Sequence, residues 1–573
     1  MKNKTFQILG LTLLLLVVIL PSWLIKNDRV IDVDEPRWII RGANFYYAVT
    51  HGEFENTIFE YHPGVTNMWI VSAAMQFYFP EYRGFGQGYF DALKMKFEEF
   101  MREQGKEALD VVRISRYIHS GMLAILAVTA FLLLCLLIDT KAAFLSVALA
   151  ALSPFYLGHS RVMNLEGMLS LFALVSFLGL QVYLNKDREL IYLLVSGVAF
   201  GLAQLTKSSS IVVVGLVGLM LFVGLFKRDD RTLAAKIWDA VKTFSIWFTA
   251  AAVTYFVLWP GMWVAPGKML ADVYGNAFSY AFQGARLDVT QQLDPESFEV
   301  SSSGSGVFQF LQSWAASSTL ITLVGLILAL YFLLFGKKED LPVPIKSTLT
   351  YLAILGGLFI LMFGLAQGRD SQHYVLTSYV AFDIMAGMGW FYLWVTFRKK
   401  WVWLNRTYAS ILFLGLLIGI QIASGLPYAP YYFIYKEPWA AVPATYGYGE
   451  GFSEAADYLA QKPNAKEIKA YVYSGMGTFS FYFPGETVVL KRINLINDDF
   501  ATITDDMRHT DYLVLYPITR VKQPETEKIL GELEGVVEPE KVIYINGLEY
   551  IQIYRMADIP ESVFEALMRK NKQ

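Results

Sequence analysis

Acidic and basic side chains gather directly after the first apolar run of this chain. Residues 31–38 read Ile-Asp-Val-Asp-Glu-Pro-Arg-Trp and place Asp32, Asp34 and Glu35 beside Arg37. Charge at the boundary of a membrane must be hydrated or paired, and it often marks a functional site. A carboxylate in this position can remove a proton from an attacking hydroxyl, and the guanidinium can hold an anion.

Three short loops further along the chain carry basic side chains and histidines. They cover residues 158–165, 206–210 and 367–373, and an acid follows the first of them just inside the next apolar run. Loops on the outer side of a membrane usually hold few Lys and Arg, so each such residue invites a functional explanation. The candidate residues in and beside these loops are Arg161, Glu166, Lys207, Arg369 and His373.

The composition indicates a polytopic membrane protein. Of the 573 residues, 55% are hydrophobic and 17% are charged, whereas an average soluble protein has about 25% charged residues. The net charge of −3 gives no argument for a nucleic-acid partner. The single cysteine, Cys135, excludes a disulfide framework and a thiol-metal cluster within the chain.

The apolar runs predict about eleven membrane spans, because many approach the roughly 20 residues needed to cross a bilayer. The first run looks like a signal peptide, but no small-residue cleavage site follows it, so we expect a retained first span. The predicted spans are residues 7–25, 116–138, 141–157, 165–184, 190–205, 209–226, 241–259, 317–336, 347–366, 374–396 and 406–424.

Basic residues between the spans predict the orientation. With the N-terminus inside, the short inner loops hold nearly all of the loop Lys and Arg residues, whereas the outer loops hold little beyond Arg161, Lys207 and Arg369. The candidate residues and the C-terminus then lie outside the cell membrane. The inner-loop cations are Lys141, Lys186, Arg188, Lys227, Arg228, Arg231, Lys236, Lys337, Lys338, Arg398, Lys399, Lys400 and Arg406.

The predicted fold class is an α-helical membrane protein with a small extracytoplasmic α/β domain. Residues 1–425 form the multi-span domain, with external loops at 26–115 and 260–316, and residues 426–573 form the second domain. In the latter, helical and strand-like segments alternate. The predicted helix is 450–461, and the predicted strands are 468–473, 512–516, 542–545 and 550–554.

One class of reaction uses both the carboxylate and the cations. In glycosyl transfer from a polyprenyl-phosphate sugar, the leaving phosphate needs cations and the acceptor hydroxyl needs a base. The lipid tail needs an apolar groove between helices. Direct displacement inverts the configuration of the sugar.

The acidic segment and several later segments also resemble those of a known family. Asp34-Glu35-Pro36-Arg37 after the first span resembles the Asp-Glu motif of the membrane-embedded GT-C glycosyltransferases, above all the protein O-mannosyltransferases and the lipid A aminoarabinose transferases. The other segments, in chain order, are His62-Pro63-Gly64, Ser160–Glu166, Leu205-Thr206-Lys207, Arg369–Tyr374, and Tyr431-Tyr432 leading to Gly449-Glu450-Gly451.

The resemblance implies roles for these residues. Asp34 would be the catalytic base and Glu35 its neighbour in the site, while His62 and Glu166 would shape the site or, for Glu166, hold a divalent metal. Gly64 and Glu166 depart from the family's usual proline and aspartate, and loop 260–316 is too short for the insertion of the eukaryotic members. The donor phosphate would be held by Arg37, Arg161, Lys207, Arg369 and His373.

Plainer interpretations exist for the same residues. The two acids at 34 and 35 could begin a surface helix, Lys207 could reach a lipid headgroup, Arg161 could form a local ion pair with Glu166, and Asp32 could be a solvated neighbour of the motif.

Two other functions also fit a charged membrane protein: a secondary transporter, and a glycan polymerase or ligase that uses diphosphate-linked donors. The sequence leaves the sugar, the use of a metal and the nature of the acceptor (protein, lipid or glycan) undetermined.

Overall fold

The computed structural model describes residues 2–570 except for nine gaps, at 86–87, 93–95, 227–229, 284–305, 337–341, 367–370, 441–446, 474–476 and 522. The chain divides into two compact units. We call Met1–Ile25, Asn44–Ala73 and Arg116–Pro443 the helical unit. We call Lys26–Ala43, Ala74–Ser115 and Ala444–Gln573 the sheet unit.

Helices make up most of the described chain, as the apolar runs predict. In chain order, the α-helices α1 to α24 are Lys2–Leu24, Glu35–His51, Val65–Tyr78, Phe97–Glu103, Ala108–Leu137, Thr140–Ala151, Pro154–Ser160, Leu165–Asn185, Leu190–Thr206, Val212–Leu225, Leu233–Leu258, Gly261–Val264, Pro266–Leu270, Asn276–Gln283, Gly306–Ser317, Leu320–Phe335, Val343–Leu365, Leu376–Lys400, Thr407–Gly425, Phe452–Ala460, Arg492–Ile496, Phe500–Arg508, Glu527–Leu533 and Glu561–Lys570.

Shorter helical turns connect many of these helices. A π-helical turn covers Ala271–Gly275, and the 3₁₀ turns are Phe54–Asn56, Pro80–Gly84, Ser208–Ile211, Gln372–Val375, Val402–Asn405, Leu426–Tyr428, Tyr432–Ile434, Pro517–Val521, Pro524–Thr526 and Met556–Asp558.

The membrane-spanning fold class is confirmed. Within the described residues, 8 helices are long and apolar enough to cross a membrane, and the number rises to 10 if each of two bent helix pairs is one span. The pairs are α6 with α7, bent by 65°, and α15 with α16, bent by 119°. The shorter apolar helix α9 coincides with the predicted span 190–205, so each of the eleven predicted spans corresponds to a helix or a helix pair.

Small residues let these helices approach closely. A Cβ atom on Gly389 of α18 would lie 2.1 Å from the carbonyl oxygen of Gly325 in α16. On Gly387 it would lie 2.4 Å from the Cα atom of Ser146 in α6. Because apolar side chains gain little by leaving lipid for a helix surface, close packing of this kind holds membrane helices together.

A five-stranded mixed sheet lies at the C-terminal end of the chain, as the alternating pattern predicts. Its order is β2-β1-β3-β5-β4; β1 pairs in parallel with β2 and β3, and β5 pairs antiparallel with β3 and β4. Strand β2, which was not predicted, is an edge strand and only partly buried. The strands β1 to β5 are Lys469–Tyr473, Glu486–Leu490, Tyr512–Leu515, Lys541–Ile545 and Leu548–Arg555.

We expect Gly389→Ala to destabilise the helical unit, because the added methyl group overlaps the backbone of α16. Overpacking typically costs about 1–3 kcal/mol. The matched control is Gly357→Ala in α17, where an added Cβ atom meets nothing within 4 Å. Thermal inactivation of the detergent-purified proteins measures the difference, and equal midpoints for the two variants would contradict this packing.

Candidate active site

The acidic motif begins helix α2 in the sheet unit. Asp32 and Glu35 are buried, and the Oδ1 atom of Asp32 accepts the backbone N–H of Asp34 at 2.9 Å. Asp34 itself is half exposed: its side chain retains 49% of its accessible surface, and its Oδ1 atom lies 3.3 Å from Nη1 of Arg37. Asp34 is therefore the carboxylate of this motif that a substrate can reach.

The interpretation of Asp32 as a solvated neighbour of the motif is wrong, because Asp32 is buried. A carboxylate that caps a nearby backbone N–H satisfies one of the donors at the start of a helix, and that role favours burial beside the chain. The backbone carbonyl of Asp32 also accepts the N–H of Glu35 at 3.1 Å, and that of Asp34 accepts the N–H of Trp38 at 3.2 Å. Asp32 thus shapes the turn that presents Asp34.

A second acidic residue lies in the helical unit, where it forms a buried ion pair. Glu166 and Lys207 retain 5% and 3% of their accessible surface, and the Lys207 ammonium donates to Oε1 of Glu166. His373 Nε2 lies 3.9 Å from the same oxygen, and the Lys207 Nζ atom lies 4.6 Å from the ring centroid of Tyr374. Three of the predicted residues are therefore brought together: Glu166, Lys207 and His373.

The start of helix α8 fixes the position of Glu166. The Asn164 side chain caps this helix by accepting the N–H of Glu166 at 2.8 Å. Gly167 lets α7 and α8 meet, because a Cβ atom there would lie 2.8 Å from the Cα atom of Ser160. The cap and the close contact fix the start of α8, and the carboxylate of Glu166 meets Lys207 directly after the end of α9.

The segment His62-Pro63-Gly64 leads into helix α3, which packs on this cluster. The N–H of Gly64 donates to the carbonyl of Thr206 at 3.1 Å, and the hydroxyls of Thr66 and Thr206 are 2.8 Å apart. The Asn67 amide donates to the carbonyl of Met163 at 3.2 Å. Three motif segments of the predicted set therefore converge in the helical unit.

Arg161 occupies a different environment from the one expected. It retains 4% of its accessible surface, donates to the backbone carbonyls of Ile25 and, at 3.5 Å, Pro430, and lies 5.2 Å from the ring centroid of Tyr432. Burial lowers the pKa of the Arg161 guanidinium below its usual range. The alternative of a local ion pair between Arg161 and Glu166 is not realised, because Glu166 pairs with Lys207.

Lys207 does not reach out to a lipid headgroup, since its ammonium is buried against Glu166. Arg369 lies outside the described residues, as does most of the Ser/Gly-rich segment 301–306. His62 contacts the ring of Tyr61 at a centroid distance of 4.1 Å. The described residues contain no group of three or more His, Cys, Asp or Glu side chains that could hold a metal ion.

Sequence reasoning overlooked Lys436. Its ammonium donates to the Ser317 hydroxyl at 2.7 Å and to Oε1 of Gln372 at 3.3 Å, beside the predicted residue His373. The available signal was a lone cation directly after the aromatic residues of 428–435.

Part of this chain matches a known family model. Residues 107–262, which contain Arg161, Glu166 and Lys207, match the family model described as dolichyl-phosphate-mannose-protein mannosyltransferase. No curated protein matches the sequence.

Several solved structures have a similar fold at low sequence identity. ArnT from Cupriavidus metallidurans in the apo state is 12% identical, with a TM-score of 0.50 over 96% of this chain and 99% of that one. The structure of ArnT from Cupriavidus metallidurans bound to undecaprenyl phosphate is also 12% identical, with a TM-score of 0.49 over 95% of this chain and 98% of that one. The oligosaccharyltransferase of Archaeoglobus fulgidus in the apo form is 12% identical, with a TM-score of 0.45 over 92% of this chain and 73% of that one.

This chain is therefore a multi-span membrane protein whose fold is similar to that of ArnT, and one of its segments, residues 107–262, is similar to a mannosyltransferase family model. This similarity covers about a quarter of the chain, and the family model is that of the dolichyl-phosphate-mannose-protein mannosyltransferases.

We expect Glu166→Gln to destabilise the helical unit by about 3 kcal/mol, because it leaves the Lys207 ammonium buried without a counter-charge. The matched control is Glu55→Gln, which removes the partner of Lys268 in an exposed pair of 3.1 Å. Such exposed pairs contribute about 0–1 kcal/mol. Thermal inactivation midpoints test this, and an effect of Glu166→Gln no larger than that of Glu55→Gln would refute the importance of the buried pair.

Proposed function

We propose that this protein transfers a sugar from a polyprenyl-phosphate donor to an acceptor hydroxyl on the outer side of the cell membrane, with Asp34 as the general base. The observation that carries the proposal is the half-exposed carboxylate of Asp34, held at the start of α2 between two buried acids. A base must meet the proton that it removes, and the buried Glu35 and Asp32 are less suited to that task.

In the proposed reaction, Asp34 accepts the proton of the acceptor hydroxyl while the hydroxyl oxygen attacks the anomeric carbon. The bond between that carbon and the phosphate oxygen breaks on the opposite face, so the configuration of the sugar inverts. The electron pair of the broken bond goes to the leaving polyprenyl phosphate. Cations lower the barrier because negative charge grows on this phosphate in the transition state.

The helical unit supplies the basic side chains proposed for the phosphate. Lys207 and His373 lie together at Glu166, and Arg161 brings a second buried cation. Arg37 and Arg369 complete the proposed set. Glu166 fixes the position of Lys207 and offsets its charge when no phosphate is bound, which explains an acid within an anion-binding cluster.

The lipid-linked nature of the donor is supported by two observations. The family model matched by residues 107–262 describes enzymes that use dolichyl-phosphate-mannose. In addition, Arg161, Lys207 and His373 lie at the ends of apolar helices, where a lipid tail is soluble. The acceptor is proposed only as a hydroxyl group of a protein, lipid or glycan.

We expect Asp34→Asn to lower kcat by at least about 10²-fold, the usual contribution of a general base, while the affinity for the donor is retained. The assay measures sugar transfer from polyprenyl-phosphate sugars to candidate acceptors in detergent or proteoliposomes. The control is Asp505→Asn, an acid of α22 with 73% of its side chain exposed. Undiminished transfer by Asp34→Asn would exclude this role for Asp34.

The same assay distinguishes the proposed donor from a diphosphate-linked one. We expect transfer from the monophosphate-linked sugar and none from its diphosphate-linked analogue, because the proposed leaving group is a single phosphate. Transfer from the diphosphate-linked sugar alone would identify a polymerase or ligase chemistry instead.

A further inference from the structure

A short glycine-containing turn in the sheet unit is built around a buried carboxylate. Residues 447–451, which we call the glycine loop, read Gly-Tyr-Gly-Glu-Gly. Oε2 of the buried Glu450 accepts the backbone N–H groups of Gly447 and Tyr448, each at 3.1 Å, and the hydroxyl of Tyr516. Tyr516 directly follows strand β3, so the sheet anchors the loop.

Gly449 carries the glycine loop into contact with the segment that leads to Asp34. Its φ of +98° is a left-handed conformation that favours glycine. A Cβ atom at this position would lie 2.3 Å from the carbonyl oxygen of Ile31 and 3.0 Å from Cγ2 of Thr478. Only a glycine allows this approach without displacing the backbone of Ile31.

Three more contacts from the sheet unit hold the residues before Ile31. The Ser453 hydroxyl, in helix α20, donates to the carbonyl of Arg29. The Arg29 guanidinium pairs with Asp457 of the same helix at 2.5 Å. The Tyr482 hydroxyl donates to the carbonyl of Asp28 at 2.8 Å. Hydrogen bonds to the carbonyls of Asp28 and Arg29 therefore fix the residues just before Ile31.

The path from the glycine loop to the Asp34 carboxylate is short and internally bonded. Ile31 is followed by the buried Asp32, whose Oδ1 atom accepts the N–H of Asp34 at 2.9 Å. The carbonyl of Asp32 then accepts the N–H of Glu35, the first residue of α2. A displacement of Ile31 therefore moves the turn that presents Asp34, and a misplacement of about 1 Å can cost about 10²-fold in rate.

We propose that the glycine loop positions the Asp34 carboxylate for catalysis, with Gly449 setting its location through Ile31 and Glu450 holding the loop in shape. The proposal rests on the function proposed above for Asp34. Gly449 and Glu450 are thus positioning residues: they act through the acidic segment and affect the chemical step, while donor binding depends on other side chains. The C-terminal domain in this way takes part in the reaction itself.

Two glycines of the loop provide a matched test. Gly447 and Gly449 have φ values of +97° and +98°, so alanine costs the same backbone strain at both. An added Cβ atom at Gly447 meets nothing within 4 Å, whereas at Gly449 it strikes Ile31. We expect kcat to be at least about tenfold lower in Gly449→Ala than in Gly447→Ala, with the same KM for the polyprenyl-phosphate sugar in both. Equal kcat values would overturn the proposal.

Hydrogen exchange gives a readout that does not depend on activity. We expect the backbone amides of residues 28–38 to exchange faster in Gly449→Ala than in Gly447→Ala, because the former displaces Ile31. Equal exchange in the two variants would overturn the proposal. Asp34→Asn tests the proposed function separately: if it transfers sugar normally, the role of Asp34 as base fails, whatever the exchange of the glycine variants shows.

A milder variant covers the case in which Gly449→Ala does not fold. Ser453→Ala removes the hydrogen bond to the carbonyl of Arg29 and adds no atoms. We expect faster exchange in residues 28–34 and a lower kcat at unchanged KM. Restoration by Ser453→Thr, which supplies a hydroxyl again, is the expected rescue. Wild-type exchange and wild-type kcat in Ser453→Ala would overturn the proposal.

Discussion

The buried ion pair between Glu166 and Lys207 is the constraint around which the helical unit is arranged. Each charge alone would cost several kcal/mol in this environment, so the two must meet with good geometry. The Asn164 cap and the close contact at Gly167 fix the start of α8, and the hydrogen bonds of Thr206 to Gly64 and Thr66 hold the end of α9 against the start of α3. The result is a pre-formed cationic position inside an apolar body.

In the proposed reaction, the same pair lets the phosphate of the donor bind beside lipid without an uncompensated charge in the helical unit. The ammonium of Lys207 is already desolvated, so a phosphate that replaces part of its interaction with Glu166 meets a cation that has lost its water. His373 and the ring of Tyr374 lie within contact distance of the same pair. The cluster is therefore compact, and the chemistry proposed for it depends on charge placed before the substrate arrives.

Much of the fold was predictable because hydrophobicity is a local signal. The eleven apolar runs mark the helices well, and the alternating pattern after residue 447 identifies four of the five strands. Two features of the fold could not be predicted from the pattern of hydrophobic residues. The breaks in the helix pairs at Leu152-Ser153 and Ser318-Thr319 fall within or at the edge of continuous apolar runs, and the edge strand β2 was not predicted.

The site was predictable in its residue types more than in its pairing. Three residues of the predicted set, Glu166, Lys207 and His373, lie together in the structure, whereas the alternative pair of Arg161 with Glu166 does not form. Arg161 lies at the end of α7 and Glu166 in the first turn of α8, so the turn between the two helices separates them, and Lys207 arrives from α9. Pairing across helices depends on tertiary packing, which a single sequence does not reveal.

Asp34 shows a similar limit. Three acids within four residues are equivalent by composition, whereas the structure buries Asp32 and Glu35 and leaves Asp34 half exposed. The contacts that fix this turn come from residues more than 400 positions later in the chain. Asp34 and the C-terminal sheet therefore belong to one compact unit, whereas Arg161 and Lys207 belong to the other.

The most direct test of this account is the stereochemistry of the transfer. With any polyprenyl-phosphate sugar that supports turnover, the anomeric configuration of the transferred sugar can be compared with that of the donor by NMR. Direct attack by a hydroxyl activated by Asp34 predicts an inverted configuration. A retained configuration would contradict the account, because it requires a covalent intermediate or a different attacking face.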